Sequence, residues 1–233
     1  MKNQYFGDIN DYRKYGLLRV IIRISNLRLL VAWMLTPDDG GTDGKFTSYL
    51  DKTGKWSRYD SVLFGKIKDL ISHGQERSVG LIEKTDLLQR AKYFSARVPD
   101  CSSERRSWFD SLFEQAQESD LVFLDPDNGL EVRSTPYGRK KSSKYLYWCE
   151  VKELWSSGKS LLIYQHFIRE PRPKFIERMF ESLRCVTPGS FVKAFSTPYV
   201  VFFMAFQPEH QRFHQDIVIA VQESWQGQIQ HWE

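Results

Sequence analysis

The sequence predicts an α/β fold: a single domain with a mostly parallel central sheet flanked by helices and a C-terminal antiparallel strand pair. Three observations carry this. Short apolar runs alternate with amphipathic stretches along the chain. The runs at 29–35, 120–124 and 160–164, after an opening Asp120 and Ser160 in the last two, are apolar at successive positions, as in strands covered by helices on both faces. Each of the three ends in a polar loop bearing Gly or Pro.

In chain order, residues 11–24 read as a helix, with Leu17, Leu18, Ile21 and Ile22 on one stripe and Asn10 or Asp11 as the cap. The first strand spans 29–35. A helix follows at 59–71, then short strands at 79–82 and 93–98. A helix capped by Ser102 or Ser103 runs to 117, and the second buried strand follows at 120–124. Residues 133–144 hold five cations and no acid and read as a solvated loop. A helix at 145–155, the third buried strand at 160–164 and a helix at 174–184 come next. Strands at 191–194 and 199–206 and a helix at 213–225 close the chain. With 233 residues and no linker-like stretch, 1–233 is expected to be one domain, the helical segment 1–27 packing on it.

Composition narrows the function classes. Apolar residues make up 41%, which excludes a disordered chain. Cys101, Cys149 and Cys185 are odd in number and lack CxxC spacing, so neither a disulfide scaffold nor a cysteine zinc site is expected. No HExxH spacing occurs, and no metal is expected. The N-terminus has no apolar signal core and no apolar run nears about 18 residues, which predicts a cytoplasmic protein without a membrane span. The formal net charge of +4 says little by itself about partners.

Ligands of open parallel sheets bind beyond the carboxyl ends of the strands. Three loops are predicted to meet there: TPDDGGTDG at 36–44, DPDNGLE at 125–131 and QHFIREP at 165–171. In the second, a buried strand delivers Asp125, Asp127 and Asn128: two carboxylates suited to acid–base work, and an amide suited to reading a base edge. The same residues also suit a plain turn. Asp38, Asp39 and Asp43 in the first loop would repel phosphate, so it is not a nucleotide-phosphate cradle; it fits substrate or metal. His166 ends the third strand, followed by Phe167. The N-terminal segment NQYFGDINDYRKYG places Tyr12 and Lys14 where they fit either a core cap or a pocket wall. Arg139, Lys140, Lys141 and Lys144, next to Tyr137, Tyr145, Tyr147 and Trp148, suit contacts to DNA phosphates.

Two resemblances follow from these motifs. The strand ending in Asp125-Pro126, followed by the 160–164 strand and the terminal strand pair, resembles class I methyltransferases that act on bases. Asp127-Asn128 replaces that family's second Pro and aromatic, and its Gly-rich cofactor loop is not matched. That resemblance implies S-adenosylmethionine as cofactor. Over roughly two thirds of the chain, the layout is similar to the uracil-DNA glycosylase superfamily, with Thr36-Pro37-Asp38 near the first motif and Gln165-His166-Phe167 near the last. This implies a cofactor-free enzyme, with a prokaryotic antiviral glycosylase acting on modified cytosine as its specific form. The leading expectation is therefore hydrolysis of the N-glycosidic bond of a base flipped out of double-stranded DNA. Asp127, Asp125 and His166 would be catalytic, and Asn128, Phe167, Asp38, Asp39, Tyr12 and Lys14 would bind substrate. A base methyltransferase is the alternative, and an Mg²⁺ nuclease using Asp38, Asp43 and Asp125 a further one.

Overall fold

The computed structural model describes residues 1–41, 44–72, 74 and 76–233. Asp43, one of the acids in the nuclease reading, lies outside the described residues. The elements in chain order are α1 (Ile9–Ser25), β1 (Leu29–Ala32), α2 (Thr53–Trp56), α3 (Ser61–Ser72), α4 (Gly80–Glu83) and β2 (Lys92–Phe94). They continue with α5 (Ser102–Ala116), β3 (Leu121–Leu124), β4 (Gly129–Leu130), β5 (Tyr145–Leu146), α6 (Trp148–Ser156) and β6 (Ser160–His166). The chain ends with α7 (Arg172–Val186), β7 (Phe191–Ser196), β8 (Val200–Phe206), α8 (His214–Ser224) and β9 (Gln230–Trp232).

Among the described residues the main sheet runs β2-β1-β3-β6-β8-β7-β9. The first four strands are parallel; β8 joins β6 antiparallel, and β7 and β9 extend that antiparallel part. The fold class is as the sequence predicts. Strand pleat divides the core in two. Leu29, Val31, Leu121 and Phe123 face α1, α3 and α8, while Leu30, Ala32, Val122 and Leu124 face α5, α6 and α7.

Local differences from the sequence reading have local causes. The helix α1 is capped by Asp8, not Asn10 or Asp11: its carboxylate accepts from Asn10 N at 2.8 Å and Phe46 N at 2.9 Å. The 79–82 segment, expected as a strand, is a single helical turn. Val79 and Ile82 are both buried while Gly80 and Leu81 are half-buried, a spacing of three that four residues cannot distinguish from alternation. Helix α6 begins at Trp148 because Tyr145 and Leu146 pair with Gly129 and Leu130 in a small parallel sheet. The buried Glu150 carboxylate also accepts from Tyr147 N at 3.0 Å, fixing the helix start. The basic loop is tied down, not free: Asp100 accepts from Lys141 N at 2.8 Å and from Ser143 N at 2.7 Å.

The N-terminal helix is held by close approach to α8. A methyl group on Gly16 would stand 1.9 Å from Cζ2 of the buried Trp225. Gly16→Ala is expected to lower stability by about 1–3 kcal/mol through overpacking. For a domain of this size that is a Tm fall of roughly 2–12 °C by calorimetry.

Candidate active site

Strands β1 and β2 lie to one side of the switch point and β3 and β6 to the other, so the crevice between β1 and β3 is where this topology places ligands. In register, Ala32 pairs with Leu124 and Leu124 with Ile163. The next residue of each strand is therefore level at the carboxyl edge: Trp33, Asp125 and Tyr164. Lys14, 2% exposed, reaches up from α1 into this row. Its ammonium lies 2.7 Å from Asp125 Oδ2 and 2.8 Å from Asp11 Oδ1. It also faces the rings of Tyr164, Trp33 and Tyr15 at 5.4, 5.7 and 5.8 Å.

The electrostatics of this cluster follow from one ammonium serving two carboxylates. Burial opposes charge on Lys14, but Asp11 and Asp125 outweigh it and raise its pKa. Burial pushes the pKa of Asp11 up to about 6, against the pull of Lys14. The amine of Met1 sits in the crevice itself, donating to Met34 O at 3.2 Å and Asp125 O at 3.1 Å. Burial lowers this amine to about 6, against the attraction of Asp125 and Asp127. Thr36 N donates to Met1 O at 2.9 Å, stitching the same residue to the extension of β1.

Beside this lies a cavity of about 340 Å³, walled by Asp125, Asp127, Tyr164 and His166 and bordered by Tyr5, Phe46 and Tyr199. Asp127 is polarised by its neighbours. Its Oδ2 faces the ammoniums of Lys144 at 3.3 Å and Lys2 at 3.7 Å. Its Oδ1 is buried with no hydrogen-bond partner, the Met1 amine standing off at 3.9 Å. His166 is accessible from the cavity, yet the protein packed round its ring lowers its pKa by desolvation, against the pull of Asp127 and Asp125, so it is neutral at pH 7. Its Nε2 lies 3.4 Å from Tyr164 OH.

Of the residues the sequence singles out, the structure brings Asp125, Asp127, His166 and Lys14 together. It places others elsewhere. Tyr12 is fully buried, stacked on Tyr49 at 5.4 Å with its hydroxyl donating to Trp56 O, so it is core, not pocket wall. Phe167 turns to the opposite side, against Phe175 at 5.8 Å and under the Arg172 guanidinium. Asn128 is outside the cavity lining; its backbone N–H joins the β4–β5 sheet region by donating to Lys144 O. Asp38 and Asp39 are exposed and hold the N-terminal residues, Asp38 through Gln4 N and Asp39 through Lys2 at 2.5 Å and Gln4. The Lys2 bond pulls Asp39 down to about 2. Lys144, expected on DNA phosphate, points inward to Asp127, whereas Arg139, Lys140 and Lys141 are exposed. Among the described residues no three His, Cys, Asp or Glu side chains form a metal-binding group, and no helix is long and apolar enough to cross a membrane.

Sequence reasoning places none of Lys2, Asp11, Phe46 and Tyr199 in the site; it reads Asp11 only as a helix cap and Tyr199 only as the start of a strand. Asp11 and Lys14, three apart on one helix and so on neighbouring positions of its surface, are a legible signal. Phe46 and Tyr199 are 68% and 62% exposed in loops without periodicity, so nothing local marks them.

No family model matches this chain, and no curated protein matches it. Among solved structures it is similar to protein LPL1258 from Legionella pneumophila str. Philadelphia 1, of family DUF519. That likeness has a TM-score of 0.45 and 11% identity over 97% of this chain and 96% of that one. It carries no argument about the site.

Two expectations follow. Lys14→Met leaves two buried carboxylates without their cation and is expected to cost about 3–5 kcal/mol, read by urea unfolding. For Asp11, the folded pKa of about 6 lies above the ordinary 3.8. The native state then binds more protons between these values, and this group's contribution to stability rises as pH falls from about 6 to 4. Asp11→Asn is expected to lack that increment when unfolding is measured at pH 4, 5 and 6.

Proposed function

We propose that this protein hydrolyses the N-glycosidic bond of a base extruded from DNA, with Asp127 as the residue that orients and deprotonates water. The observation that carries the reading is the asymmetry of Asp127. One oxygen is held by two ammoniums, and the other is a buried acceptor without a donor at the wall of a cavity. That oxygen has an unfilled acceptor site but no accessible surface of its own, so a small shift of the cavity wall on base entry brings it onto the nucleophilic water.

The cavity suits one base. About 340 Å³ is at the low end of the roughly 300–1,000 Å³ typical of ligand sites. The exposed rings of Phe46 and Tyr199, with Tyr5, give its mouth flat apolar surfaces against which an unstacked base can lie. As the bond from the sugar C1′ to the base nitrogen breaks, its electron pair leaves with the base. A neutral His166 can donate an N–H to the negative charge developing there. Water adds to C1′, and its proton passes to Asp127. Asp125, held by Lys14, shapes the wall of the cavity.

One observation favours a second reading as a base methyltransferase: Asp125-Pro126 ends a strand at the ligand edge, and antiparallel strands follow the last parallel one. Against it, Met1 and Lys2 occupy the β1–β3 crevice, and the acidic loop is engaged with Lys2 and Gln4.

The test is incubation with DNA carrying unmodified or modified cytosine, in EDTA and without cofactor, reading released base by mass spectrometry and alkali-labile sites. Base release is expected, with Asp127→Asn reducing it by at least about 10²-fold at unchanged Tm. Absence of release, together with a Tm raised by S-adenosylmethionine, would transfer the site to the methyltransferase reading.

A further inference from the structure

A second and larger concavity lies at the opposite edge of the sheet. It is about 1,020 Å³ and is formed where α1 ends and β1 begins; on α1 its lining starts at Arg19, about 7.5 Å along the helix from Lys14 of the candidate active site. Its walls hold five arginines, Arg19, Arg23, Arg28, Arg58 and Arg90, against a single acid, Asp60. Asp120, just outside these walls, pairs with Arg28, so Asp60 and Asp120 neutralise two of the five arginines and three bring net positive charge to the groove.

The arginines fall into two groups. Arg19 is fixed by Asp60 at 2.7 Å and by Leu87 O at 2.6 Å, and Arg28 by Asp120 at 2.7 Å. Arg23, Arg58 and Arg90 are exposed, and among the described residues none has a carboxylate partner. Arg58 lies over the Tyr59 ring at 4.9 Å, and that ring is stacked on the buried Trp225 at 5.6 Å and 17°. The guanidinium is thus carried on a rigid aromatic platform. Arg90 is held at φ 58°, a left-handed conformation uncommon for such a side chain and one that concentrates at binding sites. Guanidinium groups match phosphate oxygens bidentately and suit phosphodiester recognition. Here they are spread along a groove, where a single small anion could meet only a few of them.

We propose that this groove binds the sugar–phosphate backbone of a nucleic acid, as a site separate from the base-sized cavity and independent of what that cavity catalyses. Binding of a fluorescein-labelled short duplex and a short single strand, followed by anisotropy across a salt series, tests it. In the Arg23→Ala, Arg58→Ala, Arg90→Ala triple variant, affinity is expected to fall at least about tenfold, and the slope of log K against log salt to flatten by about 2–3. A Lys140→Ala, Lys141→Ala variant is expected to lose less. If the triple variant does not fold, Arg23→Glu alone, on an exposed face of α1, is expected to shift affinity in the same direction. An unchanged slope in the folded arginine variants overturns the proposal. So does loss confined to the lysine variant, or saturable binding of ATP or inorganic phosphate in the groove without any of nucleic acid. Base release plays no part in this readout, so the groove and the cleavage reaction stand or fall separately.

Discussion

The buried ion pair between Lys14 and Asp125 is the contact on which the rest of the site depends. It joins the N-terminal helix to the carboxyl end of the third parallel strand, across a row of aromatic rings. Placing an ammonium in such surroundings is costly unless its partners are close and well oriented. Here two carboxylates and three rings surround it. The pair therefore dictates where α1 docks, and α1 in turn carries Asp11 and, through its Asp8 cap, the Phe46 loop into position. The cavity beside it inherits this rigidity.

The first residues of the chain complete the arrangement. Met1 spans the crevice between β1 and β3, bonding to backbone carbonyls on both sides, and Lys2 links Asp127 to the acidic loop through Asp39. A loop rich in aspartate and glycine, which reads as a binding element, thus acts as a clasp for the N-terminal segment. What remains open to a ligand is the space next to the crevice, where Asp127 and His166 stand.

Charge is distributed with similar economy. At the carboxyl edge, acids and ammoniums neutralise one another, leaving specific oriented groups but little net field. At the amino edge five arginines meet two acids, and Arg23, Arg58 and Arg90 are left over. A positive groove attracts an anionic polymer over several ångströms, within the range allowed by salt screening, whereas the paired groups of the cavity act only on contact.

Much of this was legible in the sequence. Apolar runs ending in polar turns located the strands, and strand-end logic placed Asp125, Asp127 and His166 on one edge. Those inferences rest on periodicity and chain direction, which are local properties. Side-chain direction was not legible. Tyr12 points into the core, Phe167 to the far side of the sheet, and Lys144 inward to a carboxylate. Each depends on which distant segment packs against it. The acidic loop was misread for the same reason, since its partners lie more than thirty residues away in the chain. The five-arginine groove is invisible along the chain because its arginines come from α1, its exit, and two separate loops. The sequence by itself determined the layers, the sheet direction and the edge where chemistry gathers, because burial and alternation are written residue by residue. Only the tertiary structure decided which charges are paired and which are left to act, because pairing is set by distances between segments remote in sequence.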